Sequence, residues 1–392
     1  MTSQKCLSHR VSGPHERRTF LAPQTPFSYI HCVQENRLVN SFQPQKILIV
    51  RTDRIGDVVL SLPMIRILKS AFPSSTLTFL LRSYTRELAE GQEHLDGILL
   101  YDARGEEKPF LGMLTELRRE RFDAVVVTYP TVRLAFLMFL AAIPLRIGTG
   151  YRWYSVLFNK RIFEHRKTAE KHESEYNLSL LRGLGIPTPV TSSPRLVISQ
   201  EARTQALNAL RALKFDSRAS LVILHPGSGG SARDWKPERF GALAERLTDG
   251  GKNVIVTGGP GEESLVQQVV RSAKGKARCL SSPLPLKTLA ALIETADVFV
   301  SNSTGPLHIA AAVGTPVVAF YPPIPQCSSK RWGPLTDEKV IFEPKAADCL
   351  VCRGGECRGN DCMDLISVEA VEKAVDKLLA KQYRRQSVFE NA

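Results

Sequence analysis

The residues best suited to chemistry lie in one short segment, 301–316, with the sequence SNSTGPLHIAAAVGTP. An apolar strand predicted at 297–300 leads directly into a helix that begins near Thr304. The first backbone N–H groups of a helix lack partners within that helix, so they can bind an anion. Gly305 permits close approach to the backbone, and His308 can donate to an anionic oxygen. The segment therefore predicts a phosphate-binding corner, although an ordinary helix start with a buried histidine would explain the same residues.

A second candidate is Asp57, in the segment IVRTDRIGDVV at 49–59. A strand, a glycine-bearing loop and a helix succeed one another there, which places Asp57 near a helix start. Such a carboxylate can take the proton of an acceptor hydroxyl, and apolar neighbours would raise its pKa toward neutrality. A helix-capping aspartate is the alternative. Arg51 and Arg54 of the same segment are candidates for binding acceptor phosphates, with a solvated surface as the alternative.

A glycine- and serine-rich loop, HPGSGG at 225–230, comes after the first predicted strand of the second half. Backbone amides at Gly227 and Ser228 can surround phosphate oxygens. Arg233, three residues beyond the loop, can neutralise the charge of a diphosphate leaving group. A plain flexible loop is the alternative, but the corner around Ser303 lies in the same half of the chain and favours a shared site.

The next strand ends at the segment GGPGE, residues 258–262. An acidic residue at such a position can accept hydrogen bonds from ribose hydroxyls. Glu262 could equally be a helix-start acid that the helix dipole stabilises. Together these loops predict a nucleotide-diphosphate site in the second half of the chain, opposed by a lone carboxylate in the first half. This is the layout of a sugar transferase.

Strand and helix signals alternate along the chain, which is typical of parallel sheets with helical crossovers. We predict two doubly wound α/β domains, 46–190 and 191–380, that face a shared cleft, after a poorly ordered leader at 1–45 and before a tail at 381–392. The longest apolar run, 134–145, is too short to span a bilayer and is predicted to be a buried helix. The predicted strands are 46–51, 77–81, 97–101, 124–128, 221–224, 253–257, 297–300 and 317–321. The predicted helices are 57–71, 110–119, 172–189, 237–249, 262–273, 286–294 and 368–379, the last of which could cross back to the first domain.

The chain of 392 residues carries 52 Lys and Arg against 39 Asp and Glu, a formal charge of +13. This excess indicates an anionic partner. Nucleic acid is disfavoured because aromatic residues make up only 7% and no basic helix is evident in the sequence. An acidic membrane surface or a phosphate-bearing glycolipid fits better. The first residues lack the apolar core of a signal peptide, so we expect a cytoplasmic protein.

Four cysteines crowd the segment 349–362: Cys349, Cys352, Cys357 and Cys362. Their spacing, C-x2-C-x4-C-x4-C, could bind zinc or an iron–sulfur cluster. Against this, common zinc sites use two close pairs separated by a longer loop, and thiols in a reducing compartment are ordinarily unligated. A structural loop is the favoured interpretation.

Several motifs taken together resemble the heptosyltransferases of glycosyltransferase family 9. They occur in family order across 46–380: IGDVV with Leu62-Pro63, Arg146-Ile147-Gly148, HPGS before Trp235, GGPGE, and TGPLHIAAA. The resemblance implies a GT-B fold of two Rossmann-like domains, an ADP-heptose donor and a lipid-A-linked inner-core acceptor. It also implies inversion at the anomeric carbon without an obligatory metal, although a divalent cation could stimulate the reaction.

By the same resemblance, Asp57 would be the general base and Glu262 would bind the ribose. The diphosphate would be held by Arg233, Thr304, Gly305 and His308. Two positions depart from the family pattern. Ser303 stands where members usually carry Asp, which leaves the donor sugar open, and Arg233 stands where members carry Lys, which keeps the charge but changes the geometry.

The sequence thus predicts an inverting glycosyltransferase that adds heptose to a lipopolysaccharide-type glycolipid, as a peripheral protein at the cytoplasmic face of the inner membrane. Two alternatives stay open. The first is a family 9 transferase that uses another nucleotide sugar. The second is a non-catalytic relative that binds a nucleotide sugar or a glycolipid.

Overall fold

The structure is a computed structural model that describes residues 43–187, 192–216, 218–230, 233–280, 282–345 and 361–390. The predicted leader at 1–45 lies almost wholly outside these ranges, as do Cys349, Cys352 and Cys357. None of the helices in the described part of the chain combines the length and apolarity needed to cross a bilayer.

The N-terminal half is built on a parallel sheet of six strands. The strands of this half are β1 (Lys46–Val50), β2 (Thr76–Leu81), β3 (Gly97–Leu100), β4 (Asp102–Ala103), β5 (Glu106–Glu107), β6 (Ala124–Val127), β7 (Leu145–Thr149) and β8 (Lys160–Ile162). Of these, β4 and β5 form a small hairpin that is separate from the six-stranded sheet. The helices are α1 (Ile55–Val59), α2 (Pro63–Ala71), α3 (Arg86–Ala89), α4 (Phe110–Glu120), α5 (Val132–Leu140) and α6 (Glu173–Ser179). The strand order β3-β2-β1-β6-β7-β8 places β1 at the centre, so the loop after β1 opens at the middle of the sheet edge.

The C-terminal half repeats this plan with a second parallel sheet, in the order β11-β10-β9-β12-β13-β14. Its strands are β9 (Leu221–His225), β10 (Asn253–Val256), β11 (Arg278–Cys279), β12 (Val298–Asn302), β13 (Val317–Phe320) and β14 (Lys339–Phe342). Its helices are α7 (Gln200–Ala212), α8 (Pro237–Asp249), α9 (Glu263–Ser272), α10 (Leu286–Glu294), α11 (Gly305–Val313), α12 (Ser329–Trp332) and α13 (Val368–Glu390). The central strands β9 and β12 are neighbours, so the loops after them lie side by side.

The two-residue period of the strands divides their side chains between separate cores. In β1, Ile47 and Ile49 enter one apolar cluster, whereas Leu48 and Val50 enter another on the opposite face. The first cluster also contains residues of β9, α10 and α11, so a single continuous core joins the two halves. A third cluster covers the outer face of the second sheet with α8, α9 and α13. The two sheets are thereby held with their loops around a common cleft.

Several predicted elements differ from the structure. The predicted helix at 57–71 is two helices, α1 and α2, because Pro63 cannot donate a backbone hydrogen bond. The apolar run at 134–145 ends its helix at Leu140 and starts a strand at Leu145. Helix α13 continues to Glu390 and packs against the C-terminal half, so it does not cross back to the N-terminal half.

Candidate active site

A cavity of about 1200 Å³ lies between the two halves. Its wall combines the loops after β1, β9, β10 and β12 with the segment that precedes α6. Most of the predicted site residues line it, namely Arg51, Arg54, Asp57, Ser228, Glu262, Ser303, Thr304, Gly305 and His308. Gly227 and Arg233 are not part of the wall. The structure therefore brings the two halves of the predicted site to one cavity.

Asp57 lies in α1 and is 8% exposed. Its carboxylate accepts a hydrogen bond from the guanidinium of Arg51, which comes directly after β1. The same guanidinium donates to Asp53 Oδ1 at 2.7 Å and to Asn177 Oδ1 at 2.9 Å. The sequence predicts that Arg51 binds a phosphate of the acceptor substrate, but its guanidinium nitrogens already donate to side chains of the protein. Its place in the structure is that of a support for Asp57, whereas Arg54 is exposed at the cavity wall.

Glu173, at the start of α6, is the centre of this charged cluster. It is 1% exposed and receives three guanidinium groups: Arg51 at 3.5 Å, Arg166 at 2.5 Å and Arg331 at 3.1 Å. Burial opposes its ionisation, but Arg166, Arg51 and Arg331 together lower the pKa of Glu173. Since Arg331 belongs to α12, this one carboxylate connects the two halves of the molecule.

Burial raises the pKa of Asp57 to about 7, with Arg51 acting in the opposite direction. The nearby carboxylates of Asp53 and Glu173 also raise it. A carboxyl with a pKa near neutrality is suited to receive a proton in the transition state and release it afterwards. Asp57 is thus held in place by Arg51 and has the acidity expected of a general base.

The corner around α11 has the predicted strand-to-helix form. Thr304 precedes the helix with an extended backbone, and Pro306 occupies the first turn. A Cβ atom at Gly305 would lie 2.7 Å from the Cβ of Ile55, so the close neighbour of this glycine is α1 of the opposite half. This differs from the predicted approach of a ligand. Gly56 has the matching constraint, because a Cβ there would lie 2.6 Å from His308.

His308 is buried beside this glycine contact. Burial lowers its pKa to about 3, and His172 acts in the same direction. Its Nδ1 is buried and has no hydrogen-bond partner among the described residues. The imidazole is therefore neutral, and its residue lines the cavity.

The loop after β10 places Glu262 against the loop after β9. The Glu262 carboxylate accepts the N–H of Gly259 at 2.8 Å, and a Cβ at Gly227 would lie only 2.1 Å from its Oε1. A side chain at Gly227 would have to displace that carboxylate. His225 lies 4.0 Å from it, and burial lowers the pKa of His225 to about 4 against the influence of Glu262. One oxygen of Glu262 remains for a ligand in the cavity.

Hydrogen bonds hold the glycine-rich loop at 225–230 in place. Asn302, at the end of β12, accepts the N–H of Trp235 at 2.7 Å and donates to Pro226 O at 2.7 Å. Ser228 donates to Asp234 at 3.0 Å, and burial raises the pKa of Asp234 to about 6. These contacts fix both ends of the loop that carries Gly227 and Ser228.

Ser303 occupies the position at which the family resemblance leads us to expect Asp. It is nearly buried and hydrogen bonds with the hydroxyl of Tyr321, which itself donates to Trp332 O at 2.6 Å. Burial and a hydroxyl neighbour suit a neutral side chain, whereas a carboxylate there would need a cation. The structure thus shows a neutral pair at this wall of the cavity.

Sequence reasoning missed the residues that support the site: Glu173, Asn177, Asp234 and Asn302. Glu173 lies in a predicted helix that carries ordinary acidic and polar residues, so no local signal separates it from a solvated surface. Asn302 had a weak signal, because an amide at the end of a buried strand needs partners. In the described part of the chain, no three His, Cys, Asp or Glu side chains are grouped to hold a metal ion. Of the four clustered cysteines only Cys362 is described, and it is buried.

Comparison with known proteins extends these observations. The sequence model of glycosyltransferase family 9 (heptosyltransferase) matches residues 111–362. A Haemophilus influenzae protein, described provisionally as a glycosyltransferase, is 28% identical over 83% of this chain and 94% of its own length. Lipopolysaccharide heptosyltransferase 3 of Escherichia coli K12 is 25% identical over 83% of this chain and 95% of its own length. The solved ADP-heptose lps heptosyltransferase II of E. coli has a TM-score of 0.71 at 20% identity, covering 86% of this chain and 99% of that one. The last comparison confirms the predicted GT-B fold.

Proposed function

The chain belongs to glycosyltransferase family 9 and is a glycosyltransferase, and on that premise we propose that it transfers heptose from ADP-heptose to the inner core of a lipopolysaccharide-type glycolipid. Two of the relatives carry the same activity in their names, one of them with ADP-heptose as donor. The observation that carries the proposal is the placement of Asp57, a buried carboxyl with a pKa near 7, in the wall of the same cavity as the α11 corner.

In the proposed reaction, the acceptor hydroxyl binds beside Asp57. The carboxylate takes the hydroxyl proton as the oxygen forms its bond to the anomeric carbon of the donor sugar. The bond between that carbon and the diphosphate oxygen breaks, and its electron pair leaves with ADP. Because the oxygen attacks from the face opposite ADP, the configuration inverts. Arg51 keeps Asp57 oriented throughout, and ADP departs as the other product.

The donor would be held by the C-terminal half. The first turn of α11 offers backbone N–H groups and the positive end of the helix dipole to the diphosphate. His308 adds a neutral ring nitrogen, and Glu262 would accept from the ribose hydroxyls. Arg233 lies outside the cavity wall, so its contact with the diphosphate stays a prediction.

We propose that the acceptor is a lipid-A-linked core oligosaccharide, and that the protein works at the cytoplasmic face of the inner membrane as a peripheral protein. Arg51 and Arg54 are both predicted to bind acceptor phosphates, and Arg54 is the one of the two that remains available for that contact. No obligatory metal is needed in this scheme, because amides, a histidine and a helix dipole stabilise the leaving group. A divalent cation could still stimulate transfer by pairing with the diphosphate.

The test is transfer between defined substrates. Purified protein is incubated with ADP-heptose and a core glycolipid that lacks heptose, and the product is weighed by mass spectrometry. We expect one heptose to be added and an equal amount of ADP to be released. A chain that hydrolyses ADP-heptose without modifying the glycolipid, or that binds ADP and gives no product with any donor, would contradict the proposal. The latter result would support a non-catalytic relative.

A second candidate keeps the reaction and changes the donor sugar. It is favoured by Ser303, whose neutral pairing with Tyr321 differs from the aspartate that the family resemblance predicts. A panel of nucleotide sugars, each scored by product mass, separates the two candidates. If another sugar is transferred faster than heptose, and the Ser303→Asp variant restores preference for heptose, the second candidate is correct.

A further inference from the structure

The N-terminal half exposes apolar side chains in an unusual concentration. Nine of the fourteen large hydrophobic residues exposed in the described part of the chain fall between 129 and 163. The most exposed are Trp153 at 74%, Val156 at 70% and Phe163 at 59%. Helix α5 adds Phe136 and Phe139, although the apolar run that contains this helix predicted a buried helix. Soluble surfaces seldom group so many large apolar residues without a partner.

These side chains belong to elements that pack on each other, so they form one surface. Tyr151 and Phe163 are in edge-to-face contact with ring centroids 5.4 Å apart. The short helix Trp153–Leu157 packs beside α5, and Tyr154, the neighbour of Trp153 in sequence, donates to Pro130 O at 2.8 Å near the start of α5. We call the exposed side chains of Phe136, Phe139, Tyr151, Trp153, Val156 and Phe163 the apolar face.

The segment that carries the apolar face has charged residues of one sign only. From Ala124 to Phe163 the sequence contains no Asp or Glu, but it contains five Arg or Lys residues. Arg152, Lys160 and Arg161 are exposed, and none of them belongs to an ion pair among the described residues. Elsewhere on the described surface, basic residues such as Lys276 and Arg246 are paired with carboxylates. The apolar face is thus bordered by cations without counter-charges.

We propose that the apolar face binds the surface of an anionic lipid bilayer. Aromatic side chains with an apolar ring are stable at the boundary between headgroups and acyl chains. Exposed Arg and Lys beside them attract acidic headgroups. A protein partner would need acidic groups to match the same border, whereas a bilayer supplies both features at once.

The location of the face agrees with a lipid-linked acceptor. Tyr151 and Arg152 belong both to this surface and to the cavity wall, and Lys167 extends the basic border along that wall. A glycolipid that leaves the bilayer at the apolar face would enter the cavity on the side of Asp57. This inference rests on the proposed function for the identity of the acceptor, but binding to lipid requires neither substrate.

The chain contains its own probe for the test. It has three tryptophans, of which Trp153 is exposed, Trp235 is fully buried and Trp332 is partly buried. The full-length protein is mixed with vesicles of phosphatidylethanolamine containing phosphatidylglycerol, and with neutral phosphatidylcholine vesicles. We expect flotation with the anionic vesicles only, reversal at high salt, and quenching of tryptophan emission by lipids brominated on their acyl chains. The Trp153→Phe variant should still float but lose most of the quenching.

Paired variants separate the two contributions. Trp153→Ser with Val156→Ser removes apolar contact, and Lys160→Glu with Arg161→Glu reverses the charge of the border. Each pair should lower vesicle affinity by about tenfold or more. The matched control is Leu207→Ser with Arg211→Glu on α7, an apolar and a basic residue at exposed positions of the other half, and it should bind as the parent protein does.

Other outcomes would overturn the inference. These are failure of the parent to float, quenching that persists in Trp153→Phe, or an equal loss in the α7 control. Self-association that disappears in Trp153→Ser with Val156→Ser, without vesicle binding by the parent, would make a second copy of the chain the occupant. Transfer to a water-soluble, truncated acceptor should survive in both paired variants. If the parent protein binds vesicles but transfers no sugar, the proposed function is refuted and the assignment of the apolar face as a lipid-binding surface stands.

Discussion

The two halves of the molecule share one strand order but offer opposite surfaces to the cleft. The N-terminal edge carries a buried cluster of charges, in which Arg51 contacts both Asp57 and Glu173. The C-terminal edge carries glycines, a helix start and two neutral histidines, His225 and His308. The proposed function accordingly assigns proton transfer to one side of this shared backbone plan and anion binding by hydrogen bonds to the other.

The difference shows that in this fold the loops at the carboxyl ends of the strands set the chemistry. A buried carboxyl can reach a pKa near neutrality only if burial outweighs its arginine partner, and the N-terminal edge provides that balance. A diphosphate needs hydrogen-bond donors that the fold holds in place and that are not already paired with carboxylates. The backbone N–H groups at the helix start of the C-terminal edge are donors of this kind. If this division is correct, variants on the two edges should affect different kinetic constants.

The largest effect is expected for Asp57→Asn. The amide keeps the shape of the side chain but cannot accept the proton, so kcat should fall by about 1000-fold or more, within the range for loss of a general base. The affinity for ADP should change by no more than about twofold, because ADP would bind the other edge. Steady-state kinetics and calorimetric titration with ADP measure both. A variant that retains turnover, or that loses ADP binding, would contradict the division.

Glu173→Gln should have the next largest effect, on stability. Removing this carboxylate leaves three buried or partly buried guanidinium groups without their shared partner, which should lower the free energy of unfolding by about 3 kcal/mol. Denaturant titration measures this. The control is Glu294→Gln, which breaks a partly exposed pair with Arg203 and should lower stability by about 1 kcal/mol at most. Equal effects of the two variants would show that Glu173 is not the centre of the cluster.

Glu262→Gln tests the C-terminal edge. Loss of a charged acceptor for the ribose hydroxyls should weaken ADP binding by about tenfold, while kcat at saturating donor changes little. Glu263→Gln is a matched control, since that neighbouring carboxylate is exposed and accepts from Gly261 N at 3.1 Å. If kcat falls at saturating donor in Glu262→Gln, the two edges do not divide the work as proposed.

The smallest expected effect is a shift of the pH profile. Because Asp57 must be ionised to act as a base, kcat/KM should rise with pH through about 7 and then level off, in line with the raised pKa of this group. Asp53→Asn removes a negative charge that raises this pKa, so the rising limb should move to lower pH by about one unit. Asp249→Asn, on the distant surface of α8, should leave the profile unchanged. A shift to higher pH in Asp53→Asn would refute the assignment of the base.

Much of the architecture can be predicted from local sequence signals. The predicted helices at 237–249 and 286–294 coincide with α8 and α10 because their apolar spacing and proline boundaries are strong. The loops after β1, β9, β10 and β12 can be gathered into one site from sequence, since the carboxyl ends of parallel strands share an edge. The prediction is weaker elsewhere: it misses the helix α7 and the strands β7 and β8, which have only five and three residues, and it does not divide the helix at Pro63.

Local sequence patterns were enough to specify the central strands of the two sheets, the glycine turns and the position of Asp57 near a helix start, because these depend on residues close together along the chain. Tertiary packing was needed to bury Arg51 in contact with Asp57 and to bring Arg331 of the other half to Glu173. Packing also set the contact of Gly305 with α1 and the exposure of Trp153. These outcomes depend on distances between segments far apart in sequence, and on the burial that their packing creates, which no local pattern encodes.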